Sequence, residues 1–298
     1  MSAEEKGIAV SGASGLLGGR LMPALRRAGW TPQAMVRRRG GDGIFWDPRG
    51  GQLDAASMEG LDAVVHLAGE NVFGRWTDAK KQRIDQSRVL GTRLIAQTLA
   101  GLDRPPRVLV SASAIGFYGD RGDAVMDESA SRGEGFLAEV CGRWEAETAP
   151  AEEAGVRVVH LRIGIVLAQG GGALKQMLTP FKMGVGGRLG DGRQWFSWIH
   201  IDDLVSSILF ALERDDLSGP VNGVAPAPVR NVELTRVLGR VLGRPTLFPA
   251  PRFALNLVFG EMAEETLLGS TRVAPAALES AGFPFAYPDL ESALRQEV

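Results

Sequence analysis

Three glycines spaced three residues apart, Gly12, Gly15 and Gly18, follow the apolar run Gly7 to Val10 and precede Leu17, Leu21 and Leu25, which fall at helical spacing. Strand, glycine turn and helix in that order form a phosphate cradle. Gly12 permits the tight turn, Gly15 leaves room for a pyrophosphate against the backbone, and Gly18 lets helix and strand pack closely. Free amides and the positive end of the helix dipole then face the phosphates. The residues that would line this dinucleotide site are Gly12, Ala13, Ser14, Gly15, Leu16 and Leu17. The next strand, Thr31 to Val36, runs into Arg37, Arg38 and Arg39, with no acid until Asp42. An acid at that strand end bonds a ribose 2′-hydroxyl, whereas an arginine accommodates a 2′-phosphate. NADP(H), gripped by Arg37 and Arg38, is therefore the expected cofactor.

Groups able to move a proton are fewer. Ser113 closes a strand, Tyr118 is one of two tyrosines, Glu70 follows the turn Ala68-Gly69, and the three histidines are His66, His160 and His200. Tyr118 is either an acid or wall packing. His66, at the end of an apolar strand, reads as a hydrogen-bonded structural histidine, and His200, just before Asp202-Asp203, is explained by a helix start and salt bridging. The histidines are scattered without ligand spacing, and Cys141 is the sole cysteine, so a metal centre is not expected. A serine hydrolase is not expected either, since no G-x-S-x-G elbow is present.

The elements that position these residues alternate. Beyond the first βαβ unit, Leu61 to Leu67 and Arg107 to Val110 read as strands around a helix from Arg83 to Ala100. Phe136 to Ala151 reads as a helix, Val156 to Leu161 and Ile199 to Ile201 as strands, and Asp202, a plausible cap, opens the next helix. Asn231 opens another, and Pro249 to Leu268 and Pro288 onward are two more. Such alternation implies an α/β fold, a doubly wound parallel sheet with helices on both faces. Eight glycines, at 170, 171, 172, 184, 186, 187, 190 and 192, make residues 166–193 a loop-rich segment beside Arg193, Trp195, Phe196 and Trp198. That segment is either a lid over a pocket or a surface loop tucked under aromatic packing.

The motifs together carry a resemblance. Gly12-x-x-Gly15-x-x-Gly18, His66-Leu67-Ala68-Gly69, Gly91-Thr92, Ser111-Ala112-Ser113 and Arg162-x-Gly164-x-Val166-Leu167 resemble the extended short-chain dehydrogenase/reductase superfamily of epimerases and dehydratases. More narrowly, Leu67-Ala68-Gly69-Glu70-Asn71, Cys141-x-x-Trp144-Glu145, Trp198-Ile199-His200-Ile201-Asp202-Asp203-Leu204, Asn222-Gly223-Val224-Ala225-Pro226 and Tyr287-Pro288-Asp289-Leu290 resemble an epimerase family sometimes labelled cell-division inhibitors. The resemblance implies a Rossmann domain over residues 1–223, interrupted by the glycine-rich segment, and a small substrate-covering domain over 224–298. It also implies that Leu67, Ala68 and Gly69 run past the cofactor, that Arg88 lies near it, and that Val166 sits near the nicotinamide. Leu67 and Ala68 are equally explicable as core at a strand end. In that superfamily a Ser, a Tyr and a Lys four residues after the Tyr carry the chemistry, the ammonium lowering the phenol pKa. Ser113 matches the serine. Counting back from Glu145 puts Leu137 at the tyrosine and Cys141 at the lysine, and Arg88 stands where asparagine is common.

Composition narrows the rest. The chain has 298 residues, 33 Lys plus Arg against 35 Asp plus Glu, and 45% hydrophobic residues, which gives no global field for nucleic acid or an anionic membrane. No apolar run approaches the roughly 18 residues that span a bilayer. Met1 to Lys6 is polar and acidic, unlike a signal peptide, and a reducing, cytoplasmic setting is expected for a monomer or homodimer. Two functions stand. One is an NADP(H)-dependent oxidoreductase or epimerase acting on a small polar carbonyl or sugar-like substrate, with Ser113 as oxyanion partner and Tyr118, Glu70 or His200 as proton donor. The other is a non-catalytic NADP(H)-binding sensor or scaffold, which the missing Tyr and Lys favour.

Overall fold

The computed structural model describes residues 6–298; Met1 to Glu5, most of the polar start, lie outside the described residues. Eight strands form one sheet: β1 (Lys6–Ser11), β2 (Trp30–Val36), β3 (Ile44–Asp47), β4 (Gln52–Leu53), β5 (Ala63–His66), β6 (Val108–Ala114), β7 (Arg157–Ile163) and β8 (Gly219–Gly223). Their order is β8-β7-β6-β5-β1-β2-β3-β4, and all neighbours are parallel except β3 and β4. The helices are α1 (Leu16–Arg27), α2 (Asp78–Ala100), α3 (Phe136–Ala146), α4 (Ala149–Glu153), α5 (Gly172–Lys182), α6 (Ile201–Glu213), α7 (Asn231–Leu242), α8 (Arg252–Phe259), α9 (Ala276–Ser280) and α10 (Leu290–Glu297).

The pleat sends alternate residues to opposite faces. Ile8, Val10, Val65, Val110 and Val159 pack with Leu21 and Leu25 of α1 and Leu204 and Ile208 of α6. Ala9, Val64 and Leu109 face the other way, onto Ile95 and Leu99 of α2. The chain winds in one direction from β1 to β2 and in the other from β1 to β5. The carboxyl ends of β1 and β5 therefore border the crevice where a doubly wound sheet receives its ligand.

Four local expectations are revised. The glycine-rich segment contains α5, because its glycines cluster at the two ends and leave Leu174, Leu178 and Phe181 at helical spacing between them. These three pack with Leu234 and Leu238 of α7 and Leu290 and Leu294 of α10. The helix expected to run to Ala151 stops at Ala146 and restarts as α4, where Pro150 occupies the first turn that tolerates a missing N–H. The helix expected over Pro249 to Leu268 breaks at Gly260, whose φ of +61° ends α8. The cap of α6 is His200, not Asp202: the Asp202 N–H donates to His200 Nδ1 at 3.2 Å.

Candidate functional site

At the carboxyl end of β1 the backbone has the shape the glycines anticipate. Gly12 has φ +71°, and a Cβ built there would lie 2.9 Å from the Leu67 carbonyl carbon. A Cβ on Gly18 would lie 2.3 Å from Gly12 O, so helix and turn touch with no room for a side chain. The α1 N-terminus begins after Gly15 with no side-chain cap and no acid in its first turn. An anion is the partner such a helix end lacks. Ser14 and Gly15 are exposed, while Ala13, Leu17, Leu67 and Val166 pack as partly buried neighbours on the same core. Val166 lies in the short strand Ile165–Leu167, paired with Ile199 of Trp198–His200. Thus the glycine turn, Leu67, Ala68 and Val166 come together at the carboxyl-end edge of the sheet's central strands.

Arg37, Arg38 and Arg39 are exposed just beyond β2. Arg39 hydrogen-bonds Gln52 and lies over the Phe45 ring, which leaves Arg37 and Arg38 as the pair directed by sequence to a 2′-phosphate.

His66 is a buried organiser. The Leu67 and Ala68 N–H groups donate to Ser11 Oγ at 3.1 and 3.3 Å, so the Ser11 hydroxyl donates its own proton to His66 Nδ1 at 2.6 Å. Burial, with Arg88 nearby, lowers the imidazole pKa to about 4 and keeps it neutral. This triad ties the ends of β1 and β5 together under the turn.

Arg88 of α2 reaches the same edge. A Cβ on Gly69 would lie 3.4 Å from its guanidinium carbon. Its Nη1 donates to the carbonyls of Glu70 and Ile84, 3.1 Å each, and the guanidinium lies 5.0 Å from the Trp144 ring centroid. The carboxylates in its neighbourhood are engaged elsewhere: Glu70 with Lys80 at 2.9 Å and Asp85 with Arg143 at 2.8 Å. Arg88 is therefore a partly buried cation without an ion-pair partner among the described residues, held by backbone carbonyls and able to share its charge with a ligand.

The expected proton donors are otherwise committed. Tyr118 is 0% exposed; its hydroxyl donates to Asn222 Oδ1 at 2.7 Å and accepts from Arg162 Nη1 at 3.0 Å. Burial raises its pKa despite the guanidinium. With no exposed face, Tyr118 sits in a buried network with Asn222 and Arg162. Ser113 donates to Glu145 Oε1 at 2.6 Å, and Arg162 grips both oxygens of Glu145 at 2.9 and 2.8 Å. Lys80 holds the Glu70 carboxyl below its usual range, so it is ionised, not a donor. His200 is fully buried. Leu137 and Cys141 face the turn after β6: a Cβ on Gly116 would lie 3.1 Å from Leu137 Cβ and 3.9 Å from Cys141 Sγ. Burial pushes the thiol up to about 11.

The aromatic run is not a free lid. Trp198 is buried, with Nε1 donating to Ala227 O at 3.0 Å, and Trp195 lies 4.3 Å from the guanidinium carbons of Arg230 and Arg272. The adjoining loop is laced down by Leu189 N–H to Asn231 Oδ1 and Gly190 N–H to Ala250 O, both 2.8 Å.

Residues 8–222 match the NAD dependent epimerase/dehydratase family, and residues 250–297 match a domain of unknown function, DUF1731. The chain belongs to the NAD dependent epimerase/dehydratase family. An epimerase family protein of Mycobacterium tuberculosis is 43% identical over 290 residues, covering 96% of each chain. The crystal structure of human epimerase family protein SDR39U1 with NADPH superposes with a TM-score of 0.90 at 33% identity and 98% coverage of both chains. A nucleoside-diphosphate sugar epimerase from Corynebacterium glutamicum gives a TM-score of 0.82 at 38% identity, spanning 98% of this chain and 58% of that one. Among the described residues of this family member, no helix is long and apolar enough to cross a membrane.

Two site features escaped the sequence. Arg162 carries a signal, a charge inside the apolar strand β7, but nothing in the sequence marks Glu145 as its partner. Glu265, whose carboxylate receives the Phe136 and Leu137 N–H groups at 2.8 and 2.9 Å, gave none, because an acid in a polar helix is ordinary.

Proposed function

We propose that this chain binds NADP(H) and acts as an oxidoreductase or epimerase-like enzyme on a small polar carbonyl or sugar-like molecule. One observation carries the reading. The uncapped cradle at Gly12 to Gly18, where Gly12 and Gly18 leave no room for a side chain, lies in a fold that matches, at a TM-score of 0.90, a human relative crystallised with NADPH. When bound, the cofactor supplies or accepts a hydride. Gly12, Ala13, Ser14, Gly15, Leu16 and Leu17 would hold the pyrophosphate, Arg37 and Arg38 the 2′-phosphate, and Leu67, Ala68, Gly69 and Val166 the flanking rings. Arg88 would give its unshared charge to the bound cofactor or to an oxyanion developing beside it. Ser113, whose hydroxyl proton is held by Glu145, would orient rather than protonate, so the proton would come from water.

A second reading, a non-catalytic NADP(H) sensor, is favoured by the commitment of Ser113, Tyr118 and Glu70 to other partners and by the burial of His200. Calorimetry with both cofactors and nicotinamide absorbance with a panel of carbonyl compounds and nucleotide sugars separate the cases. NADPH should bind at least about tenfold more tightly than NADH, and Arg37→Ala with Arg38→Ala should remove that preference. Equal affinities in the parent protein would refute the arginine assignment. Turnover that Ser113→Ala abolishes establishes the enzyme; tight NADPH binding with no turnover establishes the sensor.

A further inference from the structure

Gln169, His200 and Glu297 meet from three separate parts of the chain. The Gln169 N–H donates to Glu297 Oε2 at 2.5 Å, and Glu297 Oε1 lies 3.1 Å from His200 Nε2. His200 is 0% exposed and Glu297 5%. Because the Asp202 N–H occupies His200 Nδ1, that nitrogen is unprotonated and Nε2 carries the hydrogen on the carboxylate side. The ring is held in place: the Tyr287 ring centroid is 3.8 Å away, and the Ala286 and Tyr287 N–H groups are fixed to the buried Asp203 carboxylate at 2.8 and 2.9 Å.

A carboxylate this deep is costly, and seating α10 does not require it, since Leu290, Ala293 and Leu294 already supply the apolar contact. What Glu297 adds is a fixed point for Gln169. The three residues that follow are Gly170, Gly171 and Gly172, the most permissive backbone a chain can offer, and they lie along Leu16. A Cβ on Gly171 or on Gly172 would lie 3.3 Å from a Leu16 methyl carbon. Leu16 opens α1 directly after Gly15, and the strand Ile165–Leu167 just upstream of the loop carries Val166.

We infer that Glu297 is a positioning residue for the cofactor: it pins the Gln169–Gly172 loop against Leu16 and so fixes one wall of the dinucleotide turn. The inference rests on the reading of that turn as an NADP(H) site. The full chain, Glu297→Ala, Glu297→Gln, Leu16→Ala and the Glu297→Ala/Leu16→Ala double variant are compared by amide hydrogen exchange and by the rate of NADPH release in stopped flow. Glu297→Ala should exchange the Gln169 to Gly172 amides at least about tenfold faster and release NADPH about tenfold faster, far below its melting temperature. Glu297→Gln keeps an acceptor for the Gln169 N–H and should restore most of both. Loop and Leu16 act as one unit, so the double variant should release NADPH scarcely faster than the faster single variant. Faster loop exchange with unchanged release overturns the link to the cofactor, and unchanged exchange overturns the tether. Should Glu297→Ala not fold, Leu16→Ala decides: unchanged exchange of the Gln169 to Gly172 amides, or faster exchange with unchanged NADPH release, overturns the proposal. A parent chain that takes up no NADPH overturns the cofactor reading first, and is seen before any variant is made.

Discussion

At the scale of single residues, His66 shows how a neutral group can be the more useful one. Its ring accepts from Ser11, whose oxygen gathers the Leu67 and Ala68 amides, and a proton on Nδ1 would break that chain of bonds. The folded pKa of about 4 lies below the ordinary 6.5, so between these values the unfolded state binds the extra proton. Stability contributed by the neutral ring is full above about pH 6.5, is lost as pH falls toward 4, and levels off below. The loss is on the order of 3 kcal/mol across that window. Urea unfolding at pH 7, 5.5 and 4.5 checks it. His66→Asn, which retains an acceptor for Ser11, should flatten the slope; an equally steep slope in that variant would assign the acid sensitivity to other groups.

At the scale of elements, α3 depends on a cap from far along the chain. Gly135 precedes it with φ +101° and no side-chain cap of its own, and both oxygens of Glu265 receive the first amides instead. Glu265 belongs to the π-helical turn Ala263–Leu268, so the segment matching DUF1731 holds the helix that carries Leu137 and Cys141. Two charge-assisted bonds at a helix N-terminus are lost together in Glu265→Ala. The expected destabilisation is about 1–2 kcal/mol in denaturant unfolding. No change would mean that water replaces the carboxylate without loss. Helix α5 teaches a related point about spacing: glycine count alone reads as loop, whereas glycine placement leaves a helical stripe of Leu174, Leu178 and Phe181.

At the scale of the whole molecule, one buried network joins β6, β7, β8 and α3 through Ser113, Glu145, Arg162, Tyr118 and Asn222. Arg162 is 4% exposed and lies 3.5 Å from the Phe117 ring centroid, so its charge has nowhere to go if Glu145 is removed. Glu145→Ala should cost about 3–5 kcal/mol, because it leaves a guanidinium buried and unpaired. Ser113→Ala should cost far less, since Glu145 keeps both bonds to Arg162. Chemical denaturation of the two variants gives the comparison, and similar losses would place the strength of the network in the serine instead.

The shape of the glycine turn was legible in the sequence, because it is written locally. Gly12 and Gly18 act through the backbone they permit, and the exposed Arg37 and Arg38 follow from their place past a strand end, so neighbours in sequence suffice to read both. The parallel sheet was legible for the same reason, in apolar runs broken by turns. What only the tertiary structure decided concerns pairs far apart in the chain. Whether Tyr118 is an acid or a wall depends on Asn222 and Arg162, and whether Ser113 has a free proton depends on Glu145. Glu265 and Glu297 are ordinary helical acids until the fold brings the start of α3 to one and Gln169 to the other. A proton's availability is set by what surrounds it after folding, and hydrogen bonds across a hundred residues leave no periodic mark in the chain.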